Sequence, residues 1–218
     1  MSPATQIAYF TLKSRTNVNE GEAEPVFTTF LKTISSQPGL QSLYYGHTIQ
    51  HPDILQLLVQ WRTIEDHHTY MQTSDYPALI DTIRPYLKDV PVYMFHVHFP
   101  LSIDDLCSKP VVEVVSMYVT HAQAPFYESN LAVMLSVLAE AEGNYGSISG
   151  HAVEEAEHES FGADGKGARF VSLIGWTGIA AHEAFKKHPA FSRHADLFAE
   201  LVVGAEMHHI TLRRFGKA

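Results

Sequence analysis

Two histidines of this chain stand at the same distance from a tryptophan, and both could act as an acid or a base. His67 follows Trp61 by six residues, and His182 follows Trp176 by six. Each is predicted to lie in the first turn of a helix, just beyond a buried strand. Because the amino end of a helix disfavours imidazolium, each ring is expected to be neutral and able to accept a proton near pH 7. A catalytic role and a structural role both remain open at these positions.

Four further histidines lie in predicted strands. His96 and His98 alternate along one strand, so both rings project from one face, and His47 or His67 could complete a metal site with them. The chain has no His-Glu-x-x-His motif and no cysteine pair, so no metal is assigned. His47 and His98 are also candidate donors to an enolate oxygen. His47 and His151 each follow a glycine, whose missing side chain leaves space in a strand.

A pocket with aliphatic walls and a few aromatic and histidine side chains would suit a flat aromatic ligand. The residues predicted to bind such a substrate are Trp61, Trp176, His96, His151 and Tyr45. Glycine-rich dinucleotide loops, P-loops and the Gly-x-Ser-x-Gly elbow are absent from the sequence. These observations favour a small hydrophobic substrate and no bound cofactor.

Composition excludes several other classes of partner. The chain of 218 residues has 15 Lys and Arg against 24 Asp and Glu, and this acidic balance without a clustered basic face argues against nucleic acid as a partner. No apolar run approaches the ~20 residues of a membrane span, and no secretory signal is apparent. The single cysteine, Cys107, forms no intrachain disulfide and fits a reducing compartment, so a cytoplasmic location is expected.

The sequence contains an internal repeat. Three landmarks recur in the same order in both halves. The first is a Gly-His pair, at 46–47 and 150–151, and the second is a strand that ends in tryptophan, at 55–61 and 170–176, with histidine six residues after the tryptophan. The third is a Pro-Ala pair, at 77–78 and 189–190. Residues 101–110 have the composition of a linker, which places one half at 1–100 and the other at 111–218. The second half carries an insertion of acidic and then glycine-rich sequence, read as a longer loop between strands.

Hydrophobic periodicity predicts the order β-α-β-β-α-β in each half, which is the ferredoxin-like unit. The predicted strands are 6–14, 41–50, 54–61, 92–99, 111–120, 146–153, 168–176 and 206–215, and the predicted helices are 20–35, one starting at Thr63, 126–142 and 178–203. A sheet with helices on one face leaves its other face bare. We therefore expect an α+β fold in which the two units cover each other as an intramolecular pseudo-dimeric α+β barrel, each with a pocket between its sheet and its helices.

The repeated unit, with a strand ending in tryptophan and histidine in the next helix, resembles the dimeric α+β barrel superfamily. Within it, the chain is similar to two fused copies of the antibiotic-biosynthesis-monooxygenase-like (ABM) domain. The resemblance implies a pocket for hydrophobic, often aromatic molecules. Members include cofactor-free quinone-forming monooxygenases, haem-degrading enzymes, haem peroxidases, polyketide cyclases and lactone isomerases.

Compared with the quinone-forming members, the strand-end tryptophans match, but histidine stands where they have tyrosine at the helix start. Leu57 and Ser172 stand where they have asparagine. These differences favour a histidine acid/base site closer in kind to the cyclases and isomerases.

The resemblance and the residues together predict a tailoring enzyme of secondary metabolism that acts on a polyketide-like aromatic substrate. The predicted catalytic residues are His67, His182, His98 and His47, with proton removal followed by oxygenation, cyclisation or isomerisation. Two alternatives stay open, a non-catalytic or haem-associated binding barrel and a metal enzyme with histidine ligands. The chain is expected to act as a monomer, itself a pseudo-dimer, or as a homodimer.

Overall fold

A computed structural model describes residues 3–189, 191–192 and 200–216 of the chain. The chain divides into two compact units, one comprising Met1–His96 with Arg213–Ala218 and the other Val97–Leu212. The last residues of the chain therefore belong to the first unit, whereas the repeat in the sequence places them in the second half. The segment 101–110, read as a linker, contains a short helix, α4 (Asp104–Cys107), with buried Leu106 and Cys107.

The first unit is an antiparallel sheet with helices packed against it. In chain order its elements are β1 (Ala4–Thr11), α1 (Glu24–Ser35), β2 (Leu40–His47), β3 (Ile54–Trp61), α2 (Ile64–Met71), α3 (Asp75–Ile83), the start of β4 (Tyr93–His98) and, from the end of the chain, β10 (Arg213–Arg214). The sheet order is β10-β2-β3-β1-β4. Apart from β10, this is the strand order of a ferredoxin-like unit.

The second unit repeats this arrangement. After α4 it contains β5 (Val111–Val119), α5 (Ala124–Ala139), β6 (Asn144–Ala152), β7 (Ala156–Glu157), β8 (Lys166–Trp176), α6 (Ile179–Lys186) and β9 (Gly204–Ile210). The sheet order is β6-β8-β5-β9, and the last two residues of β4 pair with the end of β6. The prediction of an α+β fold built from two ferredoxin-like units is confirmed.

Two segments of the second unit differ from their predicted form. The helix predicted over 178–203 ends at Lys186, and residues 190 and 193–199 lie outside the described part of the chain. The insertion folds into the short strand β7, which pairs with β8, and a 3-10 helix at Glu159–Asp164.

The two units differ in how the space between sheet and helices is filled. In the first unit, side chains of β1, β3, α1 and α3 form one continuous apolar cluster that includes Phe10, Phe27, Phe30 and Trp61. Among the described residues of the second unit, the apolar side chains on this face form two clusters, one around Trp176 and the other around Phe170. No helix in the described ranges combines the length and apolarity that a membrane crossing needs.

Thr63 fixes the start of α2 and thereby the position of His67 three residues into that helix. Its side chain accepts a hydrogen bond from the Asp66 backbone N–H at 3.2 Å, so Thr63 caps the helix that the sequence predicted to start there. In the second unit α6 starts after Gly178, with no side-chain cap. The first turn of α6 therefore depends on packing and backbone geometry alone.

We predict that Thr63→Ala lowers the free energy of unfolding by about 1 kcal/mol, because it removes the acceptor for the Asp66 amide. Urea denaturation followed by circular dichroism measures this. Thr177→Ala is the matched control, since Thr177 precedes α6 and is exposed without capping it, and it should change stability little. Equal losses in the two variants would contradict the capping role.

Candidate active site

Each unit contains a buried group of four polar side chains, here called the first and second quartets. In the first quartet, Trp61 Nε1 donates to Gln6 Oε1 at 3.1 Å, and His67 Nδ1 lies 2.7 Å from His96 Nε2. The Trp61 and His67 rings stack with their centroids 4.9 Å apart. All four side chains are buried. The ring of the predicted catalytic His67 is thus held between a tryptophan and a second histidine.

The second quartet has the same plan with one chemical change. Trp176 Nε1 donates to Glu113 Oε2 at 2.8 Å, and His182 Nδ1 lies 2.8 Å from His209 Nε2. The other ring nitrogen of His182, Nε2, lies 3.5 Å from Glu113 Oε1. A carboxyl group therefore occupies the place of the Gln6 amide, and it faces both the indole and the imidazole.

Strand register explains why the two quartets match. Ala4 pairs with Trp61 and Val111 pairs with Trp176 at corresponding ends of the sheets. Gln6 and Glu113 each lie two residues further along the first strand of their unit, on the same face as the indole, because side chains alternate along a strand. The repeat in the sequence thus places an acceptor beside each indole N–H, and a buried N–H needs one.

The cavities beside the quartets differ greatly in size. The cavity of the first unit has a volume of about 20 Å³ and is lined by Gln6, Trp61 and His67 with large side chains that include Phe30, Tyr70 and Tyr76. That is room for a water molecule at most. The cavity of the second unit has a volume of about 540 Å³. Since pockets for small organic ligands start near ~300 Å³, the second of these two cavities is the one large enough for a substrate.

The second cavity is apolar apart from a few groups. Its aliphatic, sulfur and aromatic lining includes Val115, Met117, Tyr127, Leu131, Met134, Leu135, Leu138, Ile174, Phe185 and Phe191. The ionisable side chains among its described lining residues are Glu113, His182, Lys186 and the Tyr127 phenol, whose pKa is raised by burial. Glu113 and His182 belong to the second quartet, so the acid/base groups open onto the space that a substrate would fill.

Burial sets the proton affinities in the second quartet. It raises the pKa of the Glu113 carboxyl to about 7, against the lowering effect of the hydrogen bond from Trp176. It lowers the pKa of His182 to about 4, with His209 and Lys186 acting in the same direction. The pKa of His209 is lowered too, chiefly by burial. Near neutral pH, Glu113 can therefore gain or lose a proton while both imidazoles are neutral.

The two neutral imidazoles hold each other and face the carboxyl. The hydrogen bond between His182 and His209 requires one ring to donate and the other to accept. Because the pKa of His182 lies well below that of Glu113, the carboxyl exchanges the proton while the rings stay neutral and orient it. The arrangement suits general acid/base catalysis at neutral pH.

The second quartet also has the composition of a metal site. Glu113, His182 and His209 offer three ligand atoms that all lie within 4.8 Å of one another. Two histidines and one carboxylate are a frequent ligand set for divalent iron, zinc and manganese. This set differs from the one suggested by the sequence, which centred on His96 and His98.

The other predicted site residues are placed away from the two cavity linings. His47 lies at the end of β2, with Nδ1 2.7 Å from the Pro52 carbonyl oxygen. Tyr45 donates to Asn19 at 3.3 Å. His98 and His151 are exposed and stand opposite each other in the pairing of β4 with β6. The structure thus brings His67 together with His96 and Trp61, and His182 together with Trp176, but it does not join His47, His98, His151 or Tyr45 to them.

The close approach predicted at the Gly-His pairs has a specific cause in the second unit. A Cβ atom on Gly150 would overlap the backbone carbonyl of His98. Gly150 therefore serves the pairing of β6 with β4, and the space it leaves is filled by backbone.

Sequence reasoning missed Glu113, Gln6, Lys186 and His209. A signal for Glu113 was present, because it is the one charged residue in Val-Val-Glu-Val-Val, an otherwise apolar strand. A carboxylate in such a strand is costly to bury unless it has partners or a function.

No family model matches the chain, and no curated protein matches its sequence. Solved structures do match over the full length. An anthrone oxidase-like protein has a TM-score of 0.75 at 15% identity, covering 100% of this chain and 95% of that chain. A protein proposed to be a monooxygenase, from Fusobacterium nucleatum, has a TM-score of 0.66 at 8% identity, with 99% and 95% coverage. A protein proposed to be a chlorite dismutase has a TM-score of 0.61 at 10% identity, with 98% and 96% coverage.

These likenesses confirm the fold expected from the sequence. The chain shares the fold of these proteins, with two ferredoxin-like units in one chain, as the resemblance found in the sequence implied. The matched proteins are named for different activities, so the shared fold does not identify the reaction. The reaction has to be argued from the residues of the site.

We predict that Glu113→Gln makes the protein more stable at pH 8 but not at pH 4.5. A buried carboxyl whose pKa rises from 4.5 to about 7 supports folding below pH 4.5, and that support is lost as the pH rises through 7. The amide has no such cost, so the variant should gain up to about 3 kcal/mol relative to wild type between the two pH values. Urea denaturation at both pH values measures the difference.

The first unit supplies the matched control. Gln6 already accepts the hydrogen bond from Trp61, which shows that an amide fits this place. Gln6→Glu should therefore show the reverse trend and lose stability as the pH rises. A pH-independent effect of Glu113→Gln would mean that the carboxyl ionises as an exposed one does.

Proposed function

We propose that the second unit is the catalytic half of an enzyme that removes a proton from a hydrophobic, polyketide-like aromatic substrate without a bound cofactor. The observation that carries this proposal is the buried Glu113 carboxyl, joined to His182 and opening onto an apolar cavity of about 540 Å³. The first unit has the same quartet with an amide in place of the carboxyl and no room for a substrate. We therefore assign one catalytic site to the chain.

The cavity supports the substrate class. Its lining is almost wholly aliphatic, aromatic and methionine side chains, so it would stabilise an apolar molecule by removing its surface from water. Its charged and acid/base groups belong to the second quartet and to Lys186, and with the hydroxyl groups of Ser172 and Tyr127 they would orient a substrate that carries polar groups. A fused-ring phenol or ketone is such a molecule.

Glu113 would act as the base. A carboxylate is most effective in this role when its pKa lies near the working pH, and burial brings Glu113 there. His182 faces the carboxyl as a neutral ring and would position it for proton removal, with His209 fixing the tautomer of His182. The sequence predicted His182 itself as the base, and this proposal moves that role to Glu113 and keeps His182 as its partner.

The carbanion formed by proton removal can react with O2, and this outcome has the support of the full-length likeness to an anthrone oxidase-like protein. An activated CH2 group loses a proton to Glu113 and its carbon binds O2, which gives a hydroperoxide once the terminal oxygen is protonated. Loss of water from that hydroperoxide leaves a carbonyl. The overall change, CH2 plus O2 to C=O plus H2O, needs no other reductant. Reprotonation or ring closure of the same carbanion would give the isomerase or cyclase outcome.

We predict that His182→Ala and Glu113→Gln each lower kcat/KM for a hydroxyanthrone by at least about 100-fold, the usual contribution of a general acid or base. The matched variant His67→Ala alters the equivalent residue of the first unit, here called the closed unit because its cavity has no room for a substrate. This variant should retain near wild-type turnover. Oxygen consumption together with quinone absorbance measures the rate, and one O2 used for each quinone formed supports oxygenation.

The controls separate the possible results. Turnover that persists without O2 supports an isomerase or cyclase in place of an oxygenase. Equal loss in His67→Ala and His182→Ala would contradict a single site in the second unit. Near wild-type rates in both Glu113→Gln and His182→Ala would overturn the proposed function.

A metal enzyme is the second candidate, favoured by the closeness of Glu113, His182 and His209. Under the acid/base proposal, elemental analysis of purified protein should find less than about 0.1 equivalents of iron, zinc or manganese at this ligand set. About one equivalent in wild type that is lost in His209→Ala would favour the metal enzyme. A visible absorption spectrum with a Soret band would favour the haem-associated alternative, and a spectrum without one would exclude it.

A further inference from the structure

A lysine lies in the substrate cavity beside the acid/base groups. Lys186 follows His182 by four residues on α6, so the two side chains project from one face of the helix about 6 Å apart along its axis. Lys186 is the one Lys or Arg among the described residues that line the second cavity. Its side chain is partly exposed, so it can move between the cavity and solvent.

The ion pair between Lys186 and Glu183 does not prevent the Lys186 ammonium group from binding a substrate anion. Lys186 Nζ lies 3.0 Å from Glu183 Oε1, and both side chains are partly exposed, at 40% and 47%. Such a pair between exposed neighbours on a helix contributes little to stability. A substrate anion held against the apolar lining beside Lys186 would compete with Glu183 for the ammonium group.

The charge of Lys186 reaches the catalytic group. It helps to lower the pKa values of Glu113, His182 and His209, while Glu183 opposes it at each of the three. The titratable groups whose pKa values are coupled to the charge of Lys186 are therefore Glu113, His182, His209 and Glu183. Negative charge that develops on a substrate next to Glu113 would therefore lie within the field of the ammonium group.

The first unit lacks this cation. The residue four positions after His67 is Met71, at the end of α2, where the second unit has Lys186. The closed unit thus has Gln6 and Met71 where the open unit has Glu113 and Lys186. Both charged groups occur only in the unit that can hold a substrate.

We propose that Lys186 is a catalytic residue that binds the oxygen anion of the deprotonated substrate. The substrate class is then an aromatic phenol or ketone whose acidic C–H is conjugated to an oxygen, so that proton removal by Glu113 places negative charge on that oxygen as an enolate or phenolate. Lys186 pairs with this charge and takes the role that the sequence assigned to His47 and His98. This inference rests on the proposed function, since it needs an anionic intermediate.

A hydroxyanthraquinone tests the proposal without turnover, because it has the phenol and carbonyl oxygens but no acidic C–H. Its phenolate absorbs at longer wavelength than its phenol, so a titration of the bound probe gives its pKa in the cavity. Wild-type protein should lower that pKa relative to the Lys186→Met variant by about one unit or more, as a nearby opposite charge does. Lys186→Arg should restore most of the effect, since it keeps the positive charge.

Lys187→Met is the matched control, because Lys187 is the exposed neighbour of Lys186 and does not line the cavity. It should leave the pKa of the bound probe unchanged, and circular dichroism should show that all the variants are folded. An equal probe pKa in wild type and Lys186→Met, with binding intact, would overturn the role of Lys186 and leave the proposed function standing. Failure of the wild-type protein to bind the probe would overturn both.

Discussion

A buried indole N–H must find an acceptor, and the acceptor that each unit provides decides what that unit can do. Trp61 and Trp176 end equivalent strands and are fully buried. Gln6 satisfies the first with an amide, which stays neutral at every pH that the protein meets. Glu113 satisfies the second with a carboxyl, which costs free energy to ionise in a buried place. The same hydrogen bond therefore produces an inert contact in one unit and a proton-exchanging group in the other.

The two units divide stability and chemistry between them. In the first, aromatic side chains such as Phe30 and Tyr76 close the space beside the quartet, and a continuous apolar core results. In the second, a cavity of about 540 Å³ remains beside the quartet, which forfeits packing and burial that would otherwise stabilise the unit. A buried carboxyl adds to that cost. Such costs are typical of sites where function has been favoured over stability.

The sequence predicted the fold well and the site in part. Repeated landmarks and strand periodicity located both units, because these depend on local pattern and on register. The Trp-x5-His spacing correctly placed His67 and His182 beside a tryptophan, since a strand followed directly by a helix leaves few geometries. Which cavity is open could not be predicted, because volume depends on side chains from several distant elements. His47 and His98 are histidines like those of the quartets, but they lie elsewhere on the sheets. Residue type alone does not show this difference in position.

The two residues of β10 pair with β2, so the chain returns at its end to the unit in which it began. The second unit is thus inserted in the sequence of the first. During synthesis, β10 cannot join the first sheet until the whole second unit has left the ribosome, because its partner β2 is distant in sequence. The edge of β2 beside Tyr44 and Tyr45 lacks this partner until then. An unpaired strand edge is where another chain can add, so the order of synthesis exposes this edge to misassembly while the second unit is being made.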